Sequence, residues 1–314
     1  METKYAIEIQ DLHKSYEEIK AVQGVTLEIE AGSVFSLLGP NGAGKSTIIS
    51  VIAGQLPPNR GDAVILGHSI TTSPIQAKSQ IGVVPQEIAL YEDLTARENL
   101  TFWGAMYGLK GAELTRRVDA ILDMTELGGR QRDKVENYSG GMKRRLNIGI
   151  ALLHKPKIVI MDEPTVGIDP QSRRKILDSV KDLNREGMTV LYTTHYMEEA
   201  QELSDRIAIM DLGHVIAQGT HEELVRIVGE LDRIDLSFST RLDDQINDWV
   251  SLPGVRNVTP DTDKASLLVE DSDLVLPHLF EAAARDHLRI TSVTVHEPNL
   301  ETVFLHLTGR ALRE

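Results

Sequence analysis

Eight residues, "GPNGAGKS" at Gly39 to Ser46, constrain this chain more than any other stretch. They follow a short apolar run, "VFSLL" at Val34 to Leu38, and precede a helical pattern. The spacing Gly39-x4-Gly44-Lys45-Ser46 is that of a P-loop between a strand and a helix. Gly42 and Gly44 let the backbone curl until successive N–H groups face one point. Such a cradle holds phosphate oxygens at a helix start, where the helix dipole favours negative charge. Pro40, Asn41 and Ala43 complete the turn. Lys45 is placed to reach the outer phosphates of a nucleotide. The Ser46 hydroxyl is placed to bind Mg²⁺, with Thr47 beside it. A chance glycine-rich turn does not meet all these conditions at once.

Two further apolar runs, "IVIM" at Ile158 to Met161 and "TVLYTT" at Thr189 to Thr194, end in polar residues and alternate with helical patterns. That alternation predicts an α/β domain, a P-loop (RecA-like) fold with a mainly parallel sheet. Ligands in such folds sit beyond the carboxyl ends of the strands. Asp162 and Glu163 stand at one such end. Adjacent carboxylates after a buried strand are costly unless a cation binds there. Asp162 is therefore the expected Mg²⁺ ligand, directly or through water, and Glu163 the general base for an attacking water. His195 follows "YTT" at the same sheet edge and suits a γ-phosphate sensor rather than a structural histidine. Gln86, after "IGVVP", reads as a turn residue or as a hinge that feels Mg²⁺ and the attacking water. Asp169 before Pro170 has the pattern of a helix N-cap with proline at N1. Tyr16 fits adenine stacking and a strand-edge tyrosine equally well.

A second anion site is written further along. "ENYSGGMKRRLNIGIALL", Glu136 to Leu153, opens a helix at Ser139, Gly140 and Gly141 with basic residues in its first turns. One chain of this size has no obvious use for two phosphate cradles of its own.

Net charge narrows the partners. At −14 over 314 residues, the chain is a poor candidate for DNA or RNA, which demand Lys and Arg to replace counterions. With no cysteine it has no disulfides and no Cys-based zinc site. No apolar run approaches the ~18 residues of a spanning helix, and residues 1–20 are too charged for a signal peptide. A membrane role is expected to come through a partner.

The expected division is 1–228 and 229–314, with a helical subdomain at about 88–156 inside the first part. "TARENL" places Thr95 and Glu98 at capping-box spacing, and a second helix is expected near 112–125. Tyr91, Phe102, Trp103 and Tyr107 crowd this insert. They suit its core or, where exposed, a socket for a partner's helix. The second part carries 16 acidic against 8 basic residues. Its pattern is strand (231–239), helix (241–251), two strands (255–270), helix (273–287), strand (289–296) and helix (299–309). That order suggests a small ferredoxin-like α/β domain.

Taken together and in this order, the P-loop, Gln86, "YSGGM", "IVIMDEP", "GIDP" and His195 resemble the ATP-binding subunit of an ABC transporter over about residues 4–228. The resemblance implies ATP and Mg²⁺ as ligands and a homodimer paired head to tail. Ser139, Gly140 and Gly141 of one copy would clasp the phosphate held by Lys45 of the other, which gives the second cradle its use. It places Asp169 in the loop crossing that seam, makes Gln86 a link to a transmembrane permease, and puts the subunit on the cytoplasmic face of the cell membrane. The common signature reads Leu-Ser-Gly-Gly-Gln; here Tyr138 and Met142 replace its outer residues, which puts in doubt only a contact from a glutamine side chain at 142. "EPNLETVFLHLTGRALRE" after a small α/β module resembles the ABC-2 exporter class, which includes drug-resistance, sodium and cell-surface lipid or polysaccharide exporters. An importer ATPase, and a non-transport ABC ATPase in repair or translation, remain as alternatives. Against the latter stand the single ATP module, the absence of cysteine and the lack of a long heptad run.

Overall fold

The computed structural model describes residues 3–229, 231–242, 244–296 and 299–308. The described residues form two compact units that divide between His221 and Glu222.

The first unit opens with a hairpin of β1 (Tyr5–Tyr16) and β2 (Ile19–Glu30). Strand β3 (Val34–Leu38) then runs through the P-loop into α1 (Lys45–Ile52). Strands β4 (Arg60–Ile65) and β5 (His68–Ser69) join the hairpin in an antiparallel sheet of order β2-β1-β4-β5. This sheet was not expected. Its period-two signal is broken by register shifts, one of them between Ile9 and Leu12, where Asp11 adopts φ +46°. Bulges shift the alternation from one face to the other and hide it from a pattern reading.

After α2 (Pro74–Ser79) and β6 (Ile81–Val84) comes the helical insert, with α3 (Ala96–Met106), α4 (Gly111–Met124) and α5 (Gly140–Ala151). The Thr95 capping box is present: Glu98 N donates to Thr95 Oγ1 at 3.2 Å, and Thr95 N to Glu98 Oε2 at 2.8 Å. Leu100, Val118, Ile121, Leu122 and Leu146 close the core of the insert. Tyr91, Phe102 and Tyr107 stay exposed at its surface, while Trp103 packs against that core. Tyr91 meets Phe102 edge-on with ring centres 5.0 Å apart.

The chain returns through β7 (Ile158–Asp162), α6 (Pro170–Arg185), β8 (Thr189–Thr194), α7 (Met197–Leu203), β9 (Arg206–Asp211) and β10 (His214–Gly219), and α8 (His221–Val225) begins at the division between the units. The main sheet has the order β10-β9-β3-β8-β7-β6. All its pairings are parallel except β10 with β9. Every residue of β3, β7 and β8 is buried, as strands covered on both faces must be. The register sets Leu38 opposite Thr194 and Asp162 opposite Thr193. Gly39, Glu163 and His195 therefore leave the sheet side by side.

The second unit contains β11 (Asp232–Phe238), β12 (Val255–Asp261), β13 (Lys264–Val269), α9 (Ser272–Arg285), β14 (Ile290–His296) and α10 (Leu300–Thr308). Its antiparallel order β12-β13-β11-β14 is that of a ferredoxin-like βαββαβ module. One element differs from expectation: Asp244–Ser251 is a 3-10 helix rather than an α-helix. The stretch "DQINDWVS" is rich in Asp, Asn and Ser, which compete with the helix for their own backbone groups. Its anchor is Trp249, fully buried, whose Nε1 donates to Asp286 Oδ2 at 2.8 Å. Of the C-terminal motif, residues 297, 298 and 309–314 lie outside the described residues.

Candidate active site

The P-loop is built by steric necessity. Gly44, the N-cap of α1, has φ +103°, and a Cβ there would fall 2.4 Å from the Ala21 carbonyl oxygen. Gly42 has φ +83°. At Gly39 a Cβ would lie 2.4 Å from the Met210 carbonyl oxygen. No side chain caps α1, so the first-turn N–H groups are left for a ligand.

Lys45 is buried inside this turn. Its Nζ donates to Gly39 O at 2.7 Å and Pro40 O at 3.1 Å, and lies 3.0 Å from Glu163 Oε1. Glu163 is equally buried and sits at φ +44°, an unusual conformation for a residue with a Cβ. Its other oxygen, Oε2, is 3.3 Å from His195 Nδ1, within ion-pair range but without hydrogen-bond alignment. Thr193 orders the two acids: its Oγ1 donates to Asp162 Oδ1 at 2.6 Å and accepts from Glu163 N at 3.0 Å. The His195 ring packs 4.2 Å from Tyr196.

A cleft of about 790 Å³ opens over Lys45. Asn41, Gly42, Gly44, Ser46, Thr47, Gln86 and Glu163 line one side. Glu18, Ile19, Lys20 and Ala21 from the β1–β2 turn, with Gln23 and Leu212, line the other. Ala43 ties that second wall to the cradle by accepting from Gly213 N at 3.0 Å. Tyr16 is not among the lining residues. It ends β1 half-exposed, with Lys14 Nζ 5.7 Å from its ring centre, and Ile19 borders the cleft.

Gln86 is held through its backbone. Arg144, on α5, donates through Nη1 to Pro85 O at 2.7 Å and through Nη2 to Gln86 O at 2.6 Å. Arg144 is 3% exposed, and burial pulls its guanidinium below its ordinary value, against the opposing pull of Tyr192 and Asp162.

Ser139 caps α5, its Oγ accepting from Met142 N at 3.3 Å. Asp169 caps α6, its Oδ1 accepting from Ser172 N at 2.9 Å, with Pro170 at the first helical position. That backbone N–H draws the Asp169 carboxyl below its usual range. The two helix starts touch: a Cβ on Gly141 would fall 2.0 Å from Ser172 Oγ, and one on Gly140 would sit 3.7 Å from Ile168. Ser139, Gly140, Gly141 and Asp169 thus share one surface and do not line the Lys45 cleft. Arg144 and Thr193 are the site residues that sequence reading missed. The polar "YTT" strand end was the available signal for Thr193; nothing local marks Arg144.

Among the described residues no group of three or more His, Cys, Asp or Glu could hold a metal ion by itself. A Mg²⁺ that keeps waters and phosphate oxygens needs no such cage. The exposed Ser46, the exposed Gln86 and the oriented Asp162 suit that kind of partial ligation.

Comparison with known proteins gives the same reading. A family model described as ABC transporter matches residues 22–166. The linearmycin resistance ATP-binding protein LnrL of Bacillus subtilis (strain 168) is 47% identical over 98% of this chain and 100% of its own length. The Nod factor export ATP-binding protein I of Sinorhizobium fredii is 36% identical over 98% of this chain and 88% of its own. Among solved structures, a dimeric post-hydrolysis state of the ATP-binding cassette MJ0796 bound to ADP and Pi superposes with a TM-score of 0.61. It is 30% identical and covers 68% of this chain and 98% of its own. Similarity of this extent, along nearly the whole chain and on this fold, makes the protein a member of the ABC transporter family, an ATP-binding and ATP-hydrolysing subunit.

Proposed function

We propose that this chain powers export through a separate transmembrane permease, working as a head-to-tail pair of copies at the cytoplasmic face of the cell membrane. No helix among the described residues is long and apolar enough to cross a membrane, so the path for the cargo belongs to the permease. The direction of transport follows the similarity to a drug-resistance protein and to a Nod factor export protein. The exposed Tyr91, Phe102 and Tyr107 on the helical insert offer aromatic anchors to a permease helix.

The observation that carries the hydrolytic part is Glu163, 4% exposed, with Lys45 on one oxygen and His195 beside the other. In the reaction, a water oxygen bonds to the γ-phosphorus and the bond to the bridging oxygen of ADP breaks. Glu163 takes the water's proton. Lys45 and the free N–H groups of the cradle, with Gly39, Gly42 and Gly44 giving the backbone room, hold the phosphates. His195 holds the γ-phosphate. Ser46, Gln86 and Asp162 would hold Mg²⁺, which would supply positive charge against the phosphate oxygens. Ser139, Gly140 and Gly141 from the second copy complete the site, and Asp169 stands at the seam. Loss of the shared γ-phosphate charge then lets the pair open.

The test is a pull-down of tagged Glu163→Gln protein from its native host's membranes in ATP, with bound proteins identified by mass. A polytopic membrane protein at near-equal stoichiometry is the expected result. Recovery only of soluble partners, ribosomes or DNA would make the export reading wrong. The cargo is set by the permease, since no residue of a phosphate-binding fold reads it.

A further inference from the structure

Helix α7 spans only Met197–Leu203, yet it carries a carboxylate that is 1% exposed, Glu199. Burying a charge is costly unless it is fully partnered. Glu199 is. Its Oε1 accepts from Thr165 Oγ1 at 2.7 Å and from Arg173 Nε at 2.7 Å. Its Oε2 accepts from Tyr192 OH at 2.9 Å and Thr194 Oγ1 at 2.9 Å. Four donors meet the roughly four lone-pair sites of a carboxylate. Burial, then the Glu199 charge, raises the Tyr192 hydroxyl well above its ordinary value, so it remains a donor.

The donors are the informative part. Thr165 lies two residues after Glu163. Tyr192 and Thr194 lie in the last three residues of β8 before His195, and Thr194 Oγ1 also accepts from Tyr196 N at 2.9 Å. Arg173 stands in the first turn of α6, just after the Asp169 cap. Its guanidinium lies 4.4 Å over the Tyr196 ring, which packs on His195. One carboxylate therefore fastens the segment behind Glu163, the segment carrying His195 and the start of α6 to each other. Glu199 does not line the cleft and cannot touch the reacting atoms. Replacing the carboxylate and its donors together by nonpolar side chains is often neutral for stability, so stability alone does not account for a charge here.

We propose that Glu199 is a positioning residue for ATP hydrolysis, holding Glu163 and His195 in their mutual placement through Thr165, Thr194 and the Arg173–Tyr196 stack. The inference rests on the reading of Glu163 as the base and deepens it.

The test compares Glu199→Gln, Thr165→Val and Thr165→Ser with the wild-type chain. Each is measured for ATP affinity, for single-turnover hydrolysis per bound ATP, and for melting temperature. Glutamine keeps the shape but removes the charge and turns one acceptor into a donor, so the hydroxyls on that side must reverse or Arg173 must lose its acceptor. The expected result for Glu199→Gln is unchanged affinity with hydrolysis slowed by about 10²-fold, the cost of a misplaced reacting group. Thr165→Val should slow hydrolysis less and in the same way, and Thr165→Ser should restore it. Wild-type rates per bound ATP in Glu199→Gln and Thr165→Val would overturn the inference. So would equal losses of affinity and rate that track the folded fraction. If Glu199→Gln does not fold, the Thr165 pair decides. Full turnover in Glu163→Gln would instead overturn the reading of Glu163 itself.

Discussion

Lys45 Nζ and Glu163 Oε1 lie 3.0 Å apart, and each residue is about 4% exposed. The cation of the phosphate cradle and the acid that follows β7 are thus one buried pair. Neither can be altered without leaving the other charged and short of a partner.

Lys45→Ala should show both consequences. ATP binding loses charge-assisted contacts worth about 1.5–3 kcal/mol. Folding stability falls by about 3–5 kcal/mol, because Glu163 stays buried without its cation. A fluorescent-ATP titration and a thermal melt measure the two. Unchanged affinity and turnover would remove the P-loop assignment.

Glu163→Gln should bind ATP and hydrolyse it about 10²–10⁴-fold more slowly, the usual worth of a positioned base. ATP should then hold copies together as a closed pair. Light scattering with the permease present reads this, and a variant that stays unpaired would count against head-to-tail assembly.

Gly141→Ala tests the contact between the starts of α5 and α6. The added methyl would meet Ser172 Oγ at 2.0 Å, too close for either helix to keep its place. The expected cost is about 1–3 kcal/mol of stability, with weaker ATP-dependent pairing and little change in ATP affinity for the single subunit. Wild-type pairing by this variant would show that the two helix starts do not act together.

His154 predicts a pH dependence. Its ring stacks on Tyr107 at 4.3 Å and its Nε2 meets Ile81 O at 3.0 Å. Burial holds its pKa below the ordinary 6.5. Above about pH 6.5 the ring is neutral in both folded and unfolded chains and costs nothing. As pH falls from there, the unfolded chain takes up the proton first, and stability is lost until the folded pKa is passed. Between about pH 7 and 5.5 the melting temperature of the wild-type chain should therefore fall more steeply than that of His154→Gln. Parallel curves would dismiss the effect.

What the sequence made legible was whatever a backbone or a short spacing demands. Gly44 must be glycine because Ala21 O leaves no room for a Cβ. The Thr95–Glu98 box and the Asp169–Pro170 cap are local contracts between residues a few positions apart. The β3, β7 and β8 runs announced themselves because both their faces are buried. Contacts across long stretches of chain were hidden. Arg144 reaches Gln86 over 58 residues, Thr193 reaches Asp162 over 31, and Glu199 reaches Thr165 over 34. No periodicity encodes such pairs; the register of parallel strands brings Thr193 to Asp162, and the packing of helices α5 and α7 brings Arg144 and Glu199 to their loops. The β1–β2 wall was missed for a different reason, its bulges.

That wall has a consequence of its own. The triphosphate is common to every nucleoside triphosphate, so the motif side of the cleft is blind to the base. Preference for adenine over guanine must be written elsewhere, and the cleft's other side is Glu18, Ile19, Lys20, Ala21, Gln23 and Leu212. These residues belong to no motif and lie largely on a separate sheet from the hydrolytic groups. On the proposed roles, fuel choice and fuel burning fall to different parts of the molecule, and the first could drift or be redesigned while the second stays fixed.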